Sequence, residues 1–411
     1  MKNVLFLFSA IVLLLSACTK DYEQESYSFF RPVYKTKDEV KANIKSNNAE
    51  PLTKPGKLFI KGSYVFLNDL DKGVHIIDYS NPSSPQKIGF ISIPGNVDIA
   101  VRGNYLYADC YTDLVTIDIS NPANVILKSF IEGVFPHRAY DGNFQSDSSK
   151  VIVNWIKVDT MIRKPHHNYR NFFDNNSILN ATFSGSNSAG SPNGIGGSMA
   201  RFALYNNRMF TVSHNDLKVF NTSNAALPSY TGKINLNQGD IETIYPYQDK
   251  LFIGSQSGMF IYSVANPDIP TKLGASTHIR ACDPVIAEGN YAYVTLKGGA
   301  QCGGFTNQLE VVDISNLLAP IRLKIYPMTS PEGLSKDGNN LFVCDGSNGL
   351  VILNASNPLA IQQISKVSNI IPFDVIATNG LALVVAKDGL YFINYQNPSA
   401  PVISGKVETT K

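Results

Sequence analysis

Apolar and polar positions alternate along most of the chain in short runs, and the runs come in pairs. "NYLYAD" (Asn104 to Asp109) followed by "DLVTID" (Asp113 to Asp118) is one such pair, while "GVHIID" (Gly73 to Asp78) and "GLVILN" (Gly349 to Asn354) are second members of others. β-branched and aromatic side chains dominate, and a Gly- or Asp-containing turn separates the members of a pair. A period of two with tight turns predicts half-buried antiparallel strands. Helices have almost no place. The exception is Thr36-Lys37-Asp38-Glu39, a capping box that predicts a short helix from Lys37 to about Lys45.

Each second run closes on one phrase. "DYSNPSSP" after Ile77 returns as "DISNPANV" after Ile117, and seven clear copies end at Asn81, Asn121, Asn224, Asn266, Asn316, Asn357 and Asn397. The Asp and Asn side chains accept bonds from nearby backbone N–H groups, and a following Pro cannot donate to a ladder. The phrase therefore ends one strand and turns into an outer one. A period of about 40 residues holding four short strands predicts a β-propeller blade, because one such sheet must stack on neighbours to bury its faces.

The copies lie 40, 103, 42, 50, 41 and 40 residues apart, so one gap is too long. Within it "FPHRAYDGN" (Phe135 to Asn143) falls 39 residues after "NVDIAVRGN", and "VIVNWIKVDT" puts Asp159 in phase with Asp118. That favours an eighth, degenerate blade followed by an inserted loop over about 164–198, with seven blades plus an inserted hairpin as the alternative. The loop is rich in Asn, Ser and Gly, as in "SGSNSAGSPNGIGGS". Long loops without strands of their own tend to carry function or be disordered.

The recurring "GVHIID", "DLVTID" and "GLVILN" strands with their Asn-Pro ends resemble the LVIVD-repeat family, a group of bacterial surface proteins expected to be β-propellers. The resemblance runs from about Pro32 to Lys406 and takes in "GIGGSMARF" (Gly194 to Phe202), "IETIYPY" and "ACDPVIAEGNYAYVTLKGG". It implies the fold and no particular reaction.

The N-terminus changes the picture of where such a propeller would work. Lys2, the apolar run Val4 to Leu15 and "LSAC" at Leu15 to Cys18 are similar to a bacterial lipobox, with 1–17 as signal peptide and Cys18 as the lipidated first residue. The apolar run is too short to span a bilayer. Acyl chains on Cys18, each buried methylene contributing about 0.8 kcal/mol, would hold the protein on the membrane. Thr19 to Glu23 resemble the Lys-then-acid signal of surface-exposed Bacteroidetes lipoproteins, although Tyr22 interrupts the acidic pair. The expected organisation is a tether with a short helix over 18–50 and a propeller over 51–411. The expected location is the outer membrane, cell-surface exposed, with a periplasm-facing anchor as the alternative.

Composition narrows the partners. Net charge is +2, from 35 basic and 33 acidic side chains interspersed along the chain, which leaves no basic stripe for nucleic acid. The five cysteines are too few for a disulfide scaffold. Cys282 and Cys302 flank one strand, and a bridge between them, closing about 20 residues, would contribute roughly 3 kcal/mol. Cys110 and Cys344 fall at nearly equivalent strand positions in different blades and read as buried thiols.

One pattern could carry chemistry. At the start of each innermost strand the chain places Lys57, Asp98, His137, Arg201, Glu242, Asp283, Glu332 and Asp374. One ionisable group per blade would ring one mouth of the central channel, acidic on balance, where a polar ligand or cation would bind. Charged residues also begin strands simply because that end meets water. His166 and His167 are adjacent in the inserted loop, and metal ligation would need convergent partners. Nucleophile-elbow, zinc-helix, Cys-x-x-Cys and phosphate-loop motifs are absent from the sequence, and no cofactor is implied. The expectation is a non-enzymatic binding or scaffolding propeller that contacts a protein or glycan. The alternative is a polysaccharide-acting hydrolase or lyase with its charged site at the channel mouth.

Overall fold

A computed structural model describes residues 23–135, 149–164, 195–236, 241–277, 284–299 and 306–410. The chain divides into two compact units, 1–35 with 141–181 and 36–140 with 182–411.

The larger unit is a β-propeller of seven blades. Seven antiparallel sheets have four consecutive strands each, over 55–92, 99–131, 202–235, 241–277, 285–327, 334–367 and 372–408. Every one ends its third strand three residues before one of the seven Asn copies. The closing phrase works as its chemistry requires. The Asp78 carboxylate accepts from Ser80 N–H at 2.8 Å and Asn81 Oδ1 accepts from Ser83 N–H at 3.1 Å; the seventh blade repeats this with Asn394 to Gln396 and Asn397 to Ser399. Two successive side-chain turns reverse the chain into the outer strand.

The eighth blade expected over the long gap is not formed. Val151 to Thr160 belong to a single strand, Lys150–Lys164, which pairs with Glu23–Thr36 in a separate two-stranded sheet of the smaller unit. There Asp159 accepts from the Ser28 hydroxyl instead of closing a turn. Met161 and Ile162 stand where a blade would place Ser-Asn.

Strands two and three are more deeply buried than alternation alone predicts. Gly73–Asp78 has five buried residues in succession, as does Gly389–Asn394. A blade is covered on both faces, so the core lies between blades. One cluster joins Leu58, Ile60 and Leu67 of the first blade to Leu383, Val385 and Phe392 of the seventh and so closes the ring. Each such fully buried side chain contributes about 1.5–3 kcal/mol. The closure is reinforced by backbone: Leu52 bridges Thr409, and Thr410 N–H donates to Leu52 O at 2.8 Å. The glycine that opens many third strands has a steric cause. Gly73 sits at φ +146°, and a Cβ there would run into the Ile91 carbonyl of the adjacent outer strand.

The capping box at Thr36 is present, with Thr36 N–H donating to Glu39 at 2.7 Å and Glu39 N–H to the Thr36 hydroxyl at 3.2 Å. The helix is shorter than expected, Lys37–Lys41, because Lys45–Asn47 instead adds a strand outside the first blade. Lys37 pairs with Asp113 at 3.1 Å and Glu132 at 2.9 Å on the second blade. The segment from Thr36 to Asn47, placed by sequence in a tether, thus fastens two blades together.

Candidate functional site

Lys57, Asp98, Arg201, Glu242, Glu332 and Asp374 lie in or just before the start of their blade's innermost strand, whereas His137 falls in the expected eighth blade, which is not formed. In three blades the backbone carries a register shift at that point: between Pro55 and Leu58, between Ile241 and Thr243, and between Pro372 and Asp374. Such bulges re-aim a side chain, here Lys57, Glu242 and Asp374. They are the physical reason the ring positions slip by one residue between repeats. His137 and Asp283 lie outside the described residues, as do Cys18, Cys282, Cys302, His166 and His167.

The described ring is not an open mouth. Lys57, Asp98 and Asp374 are buried, with 6, 1 and 1% exposure, because the segment 196–200 is packed over them. Its start, Ile195–Gly196, pairs with Pro55–Lys61 on the channel side of the first blade. Gly197 N–H donates to Leu58 O at 3.1 Å. Lys57 Nζ donates to Met199 O at 3.0 Å and lies 3.6 Å from Asp98 Oδ2. Asp98 Oδ2 in turn accepts Arg201 N–H at 2.7 Å, and its Oδ1 accepts Ile99 N–H at 2.8 Å. On the far side the Ser198 hydroxyl accepts Leu334 N–H and donates to Asp374 Oδ1 at 3.4 Å. The residues Gly197 to Arg201 therefore contact blades one, two, four, six and seven, the fourth through Ile244 N–H donating to Ala200 O at 3.1 Å.

Electrostatics follow from this burial. Desolvation pushes Asp374 up to about 7, against the opposing pull of Val375 N–H, the Lys57 charge and Ser198. Desolvation lowers Arg201, which Asp98 and Glu242 partly counter. Burial raises Glu332, and its ion pair with Lys297 works the other way. Glu242 accepts from Gln256 at 3.1 Å. Acids and bases alternate from the first blade to the sixth, Lys57 with Asp98, Arg201 between Asp98 and Glu242, and Lys297 with Glu332, and Asp374 of the seventh follows as a second acid. The carboxylates of Asp98 and Asp374 are committed chiefly to backbone amides and to the segment, and no group of three His, Cys, Asp or Glu side chains among the described residues is arranged to hold a metal.

A set of acids that the sequence reading did not single out organises the same end of the propeller. Asp109 Oδ1 accepts Val97 N–H at 2.9 Å, Asp98 N–H at 2.8 Å and the Asn96 amide at 2.7 Å. Asp345 Oδ1 accepts Thr329 and Ser330 N–H at 2.9 and 2.8 Å, and Asp69 accepts Thr53 and Lys54 N–H at 2.9 and 2.8 Å. Each stands at the end of a second strand and ties down the loop that leads into its own blade's innermost strand. The signal was available, since Asp69 and Asp109 are 40 residues apart at one repeat phase. Burial works to raise Asp69, but His75 at 3.3 Å and these amides overcome it and hold the carboxyl at about 2. His75 is wholly buried against Asp69 and Phe90, whereas His214 is exposed. Cys110 and Cys344 are buried free thiols, pushed up by burial.

In sequence, the description "LVIVD repeat" matches residues 56–91, 95–131, 280–327 and 333–367, which are the first, second, fifth and sixth blades. No curated protein matches the chain. Among solved structures, a protein of Lactobacillus plantarum is similar at 11% identity over 87% of this chain and 97% of its own, with a TM-score of 0.54. The computationally designed Ika8 protein is similar at 8% identity over 89% and 91%, TM-score 0.53. A Bacteroides fragilis protein named as a candidate 6-phosphogluconolactonase is similar at 8% identity over 87% and 96%, TM-score 0.52. At these identities the likeness is one of fold alone. The chain is a seven-bladed β-propeller that carries LVIVD repeats.

Proposed function

We propose that the chain is a non-enzymatic binding or scaffolding propeller, anchored to the bacterial outer membrane through a lipidated Cys18 and displayed at the cell surface, where it contacts a protein partner, with a glycan as the other outcome of the test. The observation that carries this reading is a set of exposed apolar side chains two or three residues after the closing Asn of four successive blades. The exit turns of blades three to six present Leu227, Ile269, Leu318 and Leu359 at 54, 63, 70 and 47% exposure. The same two positions carry Ser83 and Ser84 in blade one, Ala123 and Asn124 in blade two, and Ser399 and Ala400 in blade seven. The outer strand of the fifth blade also exposes Ile321, Leu323 and Ile325. Single exposed aliphatics are ordinary, but their recurrence in the exit turns of four successive blades supports a protein contact. The filled channel mouth supports the same reading, because it leaves recognition to the outer surfaces.

The test joins surface cross-linking in intact cells with a glycan array probed by the soluble chain from Ser26 onward. The expected result is a protein cross-linked to the native chain and lost when Leu227, Ile269, Leu318 and Leu359 are changed to Ser together, with an empty array. Glycan binding that survives the fourfold change would overturn the protein-contact assignment.

A further inference from the structure

We propose that the segment Gly196 to Arg201 is a displaceable stopper of the channel mouth, latched by the neutral form of Asp374 and loosened when that carboxyl ionises. The geometry is specific to these residues. Asp374 is sandwiched between two glycines: a Cβ on Gly197 would run into Oδ2, and one on Gly333 would meet Oδ1 at 2.6 Å. This accounts for a Gly in each of "GIGGS" and "PEGL". Asp374 Oδ1 is committed to Val375 N–H at 3.0 Å and to the Ser198 hydroxyl, while Oδ2 is buried without a hydrogen-bond partner. A neutral carboxyl is tolerated in that position far better than an ion.

Burial decides the sign, and the charged groups around the carboxyl moderate it. Lys57 on the first blade is the cation that Asp374 feels, yet Lys57 is already bound to Met199 O and Asp98. From the sixth blade come Glu332, paired with Lys297, and Asp345; these two and Asp374 all act on the Cys344 thiol between them. On the stopper itself stand Ser198 and Arg201, the latter balanced by Asp98 and Glu242. Ionising Asp374 adds a negative charge against the Gly197 backbone and competes with Met199 O for Lys57. Lifting the stopper would open Asp374 to water and return it toward the ordinary value of 3.8. Seating therefore takes up a proton. The hold is full below pH about 4, declines by up to about tenfold per pH unit toward pH 7, and is level above it.

Hydrogen–deuterium exchange of the full chain tests this at pH 5, 6, 7 and 8, with rates corrected for intrinsic exchange. The expected result is that protection of 197–201 falls at least tenfold from pH 5 to pH 8 in the native chain and stays constant in Asp374→Asn, while Leu251–Ser255 of the fourth blade does not change in either. Protection of 197–201 that is independent of pH in the native chain, or the same fall in Asp374→Asn, would overturn the proposal. Should the Asn variant not fold, the native chain decides alone: a parallel loss at 197–201 and 251–255 would equally overturn it.

Discussion

Lys57 Nζ donates to the Met199 carbonyl at 3.0 Å, joining the innermost strand of the first blade to a segment 142 residues further along the chain. The same ammonium faces Asp98 and is the cation felt by Asp374, so it balances two buried carboxyls at once. Removing one partner of a buried pair leaves an uncompensated charge, at a cost of about 3–5 kcal/mol. Lys57→Met, which keeps the aliphatic stem, is expected to lose about that much in urea unfolding at pH 7. A loss below about 1 kcal/mol would mean that the ammonium is not buried as described.

Gly197 and Gly232 make a matched pair. A Cβ at Gly197 collides with the Asp374 carboxyl and with Leu58, whereas nothing lies within 4 Å of one at Gly232. Gly197→Ala is therefore expected to destabilise by about 1–3 kcal/mol through overpacking, and Gly232→Ala to change little or to stabilise slightly through a less flexible unfolded chain. Thermal unfolding of the two variants side by side checks the difference.

Asp109 holds three donors with one oxygen. Asp109→Ala would strand Val97 and Asp98 N–H in a buried loop, and each lost bond to a charged acceptor costs about 1.5–3 kcal/mol. The expected result is a drop of several kcal/mol, accompanied by faster amide exchange at residues 97–99 than in distant blades. Unchanged exchange there would show that the loop does not depend on the carboxylate.

Asp69 makes a statement about acid stability. Its folded value of about 2 lies below the ordinary 3.8, so its contribution is present above pH about 4 and is lost as pH falls toward 2. The shift corresponds to about 2 kcal/mol. Asp69→Asn is expected to be less stable than the native chain by about that amount at pH 6, with the two curves converging near pH 2. A gap that stays constant across that range would contradict the assignment.

The blades were legible because their signal is local. Asp78 and Asn81 act on residues two positions ahead, so a short phrase carries its whole mechanism and marks all seven blades. The eighth blade failed for an equally local reason: Val151 to Thr160 alternate as any ribbon strand does, and only the missing Ser-Asn after Asp159 distinguishes ribbon from blade. The ring positions were readable from phase, but their chemistry was not. Ser198 meets Asp374 across 176 residues of sequence, and nothing near "GIGGS" says that its partner is a carboxyl in the last blade. The helix at Lys37 was legible through its capping box, while its docking through Lys37 onto Asp113 and Glu132 is again a long-range contact.

The filled channel mouth is the central claim, and oxidative footprinting of the native chain tests it without any substitution. Met199 is 4% exposed within the stopper, Met209 and Met259 are 0 and 1% exposed in blades three and four, and Met161 on the ribbon is 59% exposed. Under a short hydroxyl-radical pulse, Met161 is expected to oxidise readily while Met199 stays as protected as Met209 and Met259. Oxidation of Met199 at the rate of Met161, with Met209 and Met259 still protected, would show folded blades around an open mouth and contradict the account.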